Sequence, residues 1–197
     1  MWRWRGAGFA LTRYADDWVT ICQSRAEAER ALASARAVLE GRLGLRLHPD
    51  KTRIVHITQG FEFLGYKIGR GKGFRYKAGG PSLYAIPRDR SIRRFKDRVR
   101  AITRRRNPRG LAGMMNELNP VVRGWGMYYR RAHVRRLFHR LDRWIVRRVW
   151  SFYFKRWRNA GWRWLPERKL YGELRLTHLL RLIPSMASYY RQKGYTR

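Results

Sequence analysis

The 197-residue sequence carries 46 Lys and Arg against 13 Asp and Glu, a formal net charge of +33. Such a field attracts polyanions and repels itself when no partner is bound. A single cysteine excludes an internal disulfide and the paired-cysteine spacing of zinc sites, and no apolar run approaches a membrane span. The excess is lopsided: residues 1–87 hold 15 basic and 7 acidic side chains, residues 88–197 hold 31 and 6. The main polyanion footprint is therefore expected in the second part, with a steep salt dependence from counterion release. Arginine outnumbers lysine 38 to 8, which suits bidentate phosphate contacts and stacking on bases.

In chain order, residues 8–13 and 18–22 are rich in aromatic and β-branched side chains and predict a β-hairpin, with Tyr14-Ala15-Asp16-Asp17 at its turn. Two adjacent carboxylates on a tight turn suit magnesium, which binds through one or two carboxylates and keeps positions for substrate phosphates. Aspartates also favour turns for purely local reasons. Ser24-Arg25-Ala26-Glu27 is a capping box. Behind it Ala28, Ala31, Leu32, Ala35, Val38 and Leu39 recur at helical spacing, with Gly41 and Gly44 as stop signals. A loop follows at His48-Pro49-Asp50-Lys51-Thr52, then a strand over 53–57 and a hairpin arm over 61–68. The glycine-rich stretches 69–73 and 77–81 read as connectors, with at most a short strand at 74–76.

The second part reads as helical. Ile92, Phe95, Val99 and Ile102 predict an amphipathic helix over 91–105, with Ser91 as N-cap and Arg93, Arg94, Lys96, Arg98 and Arg100 on a basic face. Leu111, Met114, Met115 and Leu118 predict a shorter helix ended by Asn119-Pro120. A longer one is expected over 133–158, with Arg135 and Arg136 near its start. Residues 162–166 read as a loop, and a terminal helix is expected to begin near Thr177. Helices packed through apolar stripes make a bundle. Between them Trp125, Tyr128 and Tyr129 either stack on unpaired bases or, for Trp125 and Tyr128, pack in the core. Arg123, Arg130 and Arg131 flank these rings and suit phosphate contact, because their charge cannot be buried cheaply.

Four segments in order resemble the group II intron reverse transcriptase/maturase family. Tyr14-Ala15-Asp16-Asp17 is similar to its metal-binding box, His48-Pro49-Asp50-Lys51-Thr52 to a palm loop with its lysine, and Phe61-Glu62-Phe63-Leu64-Gly65-Tyr66 to its primer grip. The fourth, Leu118-Asn119-Pro120 through Gly124-Trp125-Gly126 to Tyr128-Tyr129-Arg130, is similar to the signature of its maturase domain. The resemblance implies an α+β chain: 1–87 as the C-terminal part of a reverse transcriptase palm, built of antiparallel hairpins plus a helix, 88–170 as a helical thumb or maturase domain, and 171–197 as a helical extension. It implies Mg²⁺ held by Asp16 and Asp17 in a two-metal site, attack of a primer 3′-oxygen on an α-phosphate, and Lys51 beside the triphosphate; a lysine in such a loop is otherwise an ordinary solvated residue. Phe63, Leu64 and Gly65 become the primer grip. Arg93, Arg94, Arg98, Arg123, Trp125, Tyr129, Arg130, Arg131, Arg135 and Arg136 become RNA contacts.

The implied partners are group II intron RNA and an RNA template with a DNA primer, in a bacterial-type cytoplasm, with no membrane. The family's first catalytic aspartate and its fingers do not match any stretch before Tyr14, so this polypeptide is expected to be polymerase-incompetent alone, completed by a missing N-terminal half or acting as a homodimer. Alternatives are a stand-alone RNA-binding maturase fragment and an inactive product. The paired cysteines of the family's zinc-bearing endonuclease are absent, so that activity is not expected. The helical part is expected to fold independently, and the N-terminal part to be less stable because of an exposed sheet edge.

Overall fold

The computed structural model describes residues 10–75, 81–106, 108–155 and 165–184. It is mixed α and β, with two small sheets and five α-helices among those residues. The chain divides between Tyr84 and Ala85 into two compact units.

In the first unit β1 (Ala10–Tyr14) pairs antiparallel with β2 (Asp17–Ile21), and Tyr14 stands opposite Asp17. Ala15 and Asp16 are thus a two-residue turn, as the sequence predicts. Helix α1 (Arg25–Arg36) starts at the Ser24 cap, whose Oγ accepts from the Glu27 amide at 3.2 Å. The Glu27 carboxylate accepts from the Gln23 amide at 2.6 Å, one residue earlier than a standard capping box. A π-helical turn (Ala37–Arg42) extends α1 before Gly44 adopts a φ of 65°.

Strand β3 (Phe61–Phe63) pairs antiparallel with β4 (Tyr66–Arg75), and β5 (Pro81–Pro87) completes a sheet of order β3-β4-β5. Two expectations change here. Residues 53–57 form no strand, although the Ile57 carbonyl accepts from Arg70 N of β4 at 3.0 Å. Residues 69–73 are not a connector but the middle of β4. Their glycines make room for a ring: a Cβ on Gly69 would lie 2.7 Å from the Tyr84 hydroxyl, and one on Gly71 3.4 Å from that ring. Most of the predicted 77–81 connector lies outside the described residues.

Burial separates the two units. Before Ala85, Ala31 alone among the described apolar side chains is buried, whereas Ile21, Leu43, Leu45, Ile54 and Leu83 are exposed. The core lies in the second unit, between α2 (Asp89–Ile102), α3 (Gly110–Tyr129) and α4 (Arg135–Tyr153). Phe95 and Val99 of α2, Met114, Leu118 and Val122 of α3, and Phe138, Leu141 and Val149 of α4 are essentially sealed from water. The short α5 (Glu167–Tyr171) adds Leu170.

Three sequence expectations are corrected in this unit. Helix α2 begins at Asp89, after Arg88 as N-cap, so Ser91 sits inside its first turn. Helix α3 does not stop at Pro120 but runs through it to Tyr129. An interior proline costs about 3 kcal/mol, yet the stripe of Met114, Leu118, Val122 and Tyr129 continues past it into the core. Burying two such side chains contributes about 1.5–3 kcal/mol each, enough to carry the helix onward.

The third correction is at Thr177, where a 3₁₀ turn (Leu179–Leu182) replaces the expected terminal helix. Other elements take up its amides. Asn119 Oδ1 accepts from Thr177 N at 2.8 Å, and the Asp142 carboxylate accepts from Leu179 N at 2.8 Å and Leu180 N at 3.1 Å.

This segment packs directly on α3 at Gly126. A Cβ there would fall 2.6 Å from Leu179 Cδ2 and 2.6 Å from Leu182 Cδ1. Gly126→Ala should therefore destabilise the protein by about 1–3 kcal/mol despite alanine's higher helix propensity. Urea unfolding followed by circular dichroism at 222 nm will show the midpoint falling.

Candidate nucleic-acid interface

The carboxylate hairpin is tight. Ala15 holds a φ of 52°, in the left-handed region that glycine favours, and the Arg13 Nε–H donates to its carbonyl at 2.7 Å. Asp16 occupies the turn and Asp17 opens β2, so the two carboxylates are adjacent and both exposed. Such a pair fits a magnesium ion that binds few protein oxygens. Among the described residues no group of three or more His, Cys, Asp or Glu side chains converges around a metal position.

Lys51 is exposed on a turn closed by the His48 carbonyl, which accepts from Lys51 N at 3.2 Å and Thr52 N at 3.0 Å. Phe63, Leu64 and Gly65 lie at the tip of the β3–β4 hairpin. Phe63 stands opposite Tyr66, and Leu64 and Gly65 have φ values of 48° and 79°. That is the twist a two-residue hairpin turn requires, and a leucine in it is strained. Just after β2, Cys22 is half-buried, and burial, then Glu27, push its thiol above the ordinary range, which makes it a poor nucleophile.

The second unit keeps its cations apart from its core. On α2, Phe95, Val99 and Ile102 are buried while Arg93, Arg94 and Arg98 are exposed. Arg123 on α3, Arg131 just after it, and Arg135 and Arg136 on α4 are exposed as well, and Arg130 is half-buried. The aromatic candidates sort differently. Trp125 stacks on Phe95 at 4.4 Å and donates from Nε1 to Ser91 Oγ at 3.2 Å. Tyr129, 4% exposed, donates its hydroxyl to the same Ser91 Oγ at 2.9 Å.

Both rings are therefore engaged in packing within this unit, Tyr129 buried and Trp125 half-buried. Tyr128, considered from sequence as a core residue, is 53% exposed instead. A helix face turns through about 100° per residue, and the phase of α3 here puts Tyr129 on the buried stripe and Tyr128 outside it.

Not every arginine is a surface cation. Arg148 on α4 reaches the end of α2, donating from Nε to Thr103 Oγ1 at 2.9 Å and from Nη2 to the carbonyls of Thr103 at 3.1 Å and Arg100 at 3.3 Å. Lys155 Nζ donates to the Arg105 carbonyl at 2.6 Å. Arg148 satisfies carbonyls that the end of α2 leaves without partners and complements the negative end of its dipole. Burial, then the nearby Arg100 and Arg105, depress the Arg148 pKa. Sequence alone gives Arg148 the same appearance as Arg147, which is exposed.

Asp142 is the buried acid of this unit. Burial is the main cause holding its carboxyl above the ordinary value of 3.8, opposed by the Leu179 amide, His178, the Leu180 amide and His139. His178 Nδ1 lies 3.3 Å from Asp142 Oδ2, an ion pair when the imidazole is protonated. The folded chain holds the Asp142 proton more firmly than the unfolded chain, so Asp142 favours folding most below the unfolded value. That contribution is lost as pH rises through the folded value. Denaturant titrations from pH 3.5 to 7 should find the stability of the parent chain, relative to Asp142→Asn, falling as pH rises.

Two sequence families match in tandem. Residues 2–68 match "Reverse transcriptase (RNA-dependent DNA polymerase)", and residues 92–171 match "Group II intron, maturase-specific domain". Among curated proteins, Protein YkfC of Escherichia coli (strain K12) is 47% identical over 76 residues. That match covers 38% of this chain and 19% of the relative.

Proposed function

We propose, from a chain that belongs to the group II intron reverse transcriptase/maturase family, that this polypeptide binds intron RNA through its helical unit and assists splicing and mobility of the intron. In this reading residues 1–87 are the C-terminal part of the palm, 88–170 the maturase-specific thumb and 171–197 a C-terminal extension. The observation that carries it is the tandem order of the two family matches, the second coinciding with the segregated cationic faces of α2 and α4.

The exposed guanidiniums of Arg93, Arg94, Arg98, Arg135 and Arg136 contact phosphates, and Arg123, Arg130 and Arg131 extend the surface on α3. Each neutralised phosphate releases condensed counterions, so affinity falls linearly with log salt. Asp16 and Asp17 would hold magnesium, which stabilises developing charge on a transferring phosphoryl group. Lys51 would stand near the triphosphate, and the hairpin tip at Phe63, Leu64 and Gly65 would lie along the primer. A two-metal centre needs more carboxylate than this pair supplies, and the reading therefore has this polypeptide support RNA structure without polymerising by itself.

Two experiments test these points. Filter binding of a structured RNA across a salt series should give a steep slope, with Arg93→Ala, Arg94→Ala and Arg98→Ala each reducing it by about one at unchanged thermal midpoint. A flat slope for the parent chain contradicts the RNA-binding role. Primer extension on an RNA template by the purified polypeptide should yield no product. Extension abolished by Asp16→Asn would contradict the claim of polymerase incompetence.

A further inference from the structure

Helix α3 carries two glycines on either side of Trp125, and only one is explained by packing. Gly126 is required by Leu179 and Leu182, as described above. Gly124 is exposed, its φ is ordinary, and a Cβ added there would meet nothing within 4 Å. A glycine in the middle of a helix destabilises it relative to alanine. At Gly124 that penalty gains nothing from the described residues, and the missing side chain leaves space for a ligand.

What surrounds Gly124 indicates the occupant. Tyr128, one helical turn further on, stands over the same face and is 53% exposed, with the partly exposed Met127 beside it. The Tyr128 ring is held: it packs edge-on against Tyr129 at 4.8 Å and 82°, and Tyr129 is anchored through its hydroxyl to Ser91. Arg131 follows Tyr128 by three residues and Arg123 precedes Gly124; both are exposed. A fixed aromatic face, an adjacent gap free of side chain and flanking guanidiniums together fit an unpaired nucleotide. The base stacks on the ring, the sugar-phosphate lies against the helix at Gly124, and the phosphates meet the arginines.

We infer that Gly124 and Tyr128 form a subsite for a single unpaired nucleotide on the outer face of α3. It deepens the RNA-binding reading above and rests on it. An isolated duplex, whose bases are all stacked, does not fill this subsite and binds through phosphate contacts alone.

The test is fluorescence anisotropy with the full chain and two RNA probes of equal phosphate number, a single strand and a perfect duplex of half its length, at one fixed salt concentration. Tyr128→Leu, which keeps apolar bulk without the ring, should weaken the single strand by about 5- to 100-fold and leave the duplex within about twofold. Gly124→Ala should raise the thermal midpoint by about 1–4 °C while weakening the single strand alone. If Gly124→Ala binds the single strand as tightly as the parent, or if both substitutions weaken the two probes equally, the subsite is overturned. Failure of the parent chain to bind either probe overturns the RNA-binding reading itself, and with it the subsite. Duplex binding without sensitivity to Tyr128→Leu on the single strand removes the subsite and leaves that reading standing.

Discussion

A chain with a net charge of +33 can close a core only if its guanidiniums are kept out of it or given oxygen partners, and the helical unit does both. Helices α2, α3 and α4 each present a continuous apolar stripe inward, so that most arginines remain at the surface. Where cations come close to the packing they are turned to use. Arg148 and Lys155 take the carbonyls at and beyond the end of α2, while Lys96 and Arg100 lie 5.8 Å from the Trp144 ring centroid. Cation–π contacts of this kind contribute about 0.5–1 kcal/mol at exposed sites. Among the described residues the buried acid Asp142 pairs with no arginine: it ties the 3₁₀ segment to α4 through backbone amides.

The same segregation produces the cationic surface proposed to bind RNA. Repulsion among exposed arginines stores unfavourable energy that a polyanion relieves, so the charge that burdens folding favours binding. Ser91 links the two roles. Its hydroxyl accepts from both Trp125 and Tyr129, which fixes α3 against α2 and sets Tyr128 outward. In the first unit, by contrast, two hairpin tips hold non-glycine residues at positive φ, Ala15 and Leu64, on a body with little buried apolar surface. Backbone strain concentrated at such tips accords with sites kept for a ligand rather than for packing.

Much of this was legible in the sequence where local pattern and tertiary context agree. The aspartate hairpin and the Ser24 cap rest on short-range chemistry and stand where the spacing puts them, whereas 61–68, read as one hairpin arm, holds a whole hairpin with its turn at Leu64 and Gly65. The apolar periods of α2 and α4 were equally clear. What the sequence could not show depends on partners far along the chain. Pro120 reads as a stop until the stripe beyond it is seen to be buried, and the glycines of β4 read as a linker until Tyr84 is found against them. Thr177 reads as a helix start until the amides of Leu179 and Leu180 are found on Asp142. Adjacent aromatics such as Tyr128 and Tyr129, and adjacent arginines such as Arg147 and Arg148, are told apart only by helix phase and by what lies opposite.

The central claim is that cationic faces left at the surface of a self-supporting helical core are there to be neutralised by RNA. The most direct measurement is the thermal midpoint of the full chain with and without a stoichiometric structured RNA, at low salt and again near 0.5 M. RNA should raise the midpoint at low salt, salt alone should raise it by screening self-repulsion, and the RNA effect should fade at high salt. An RNA effect absent at low salt, or undiminished at high salt, would contradict it.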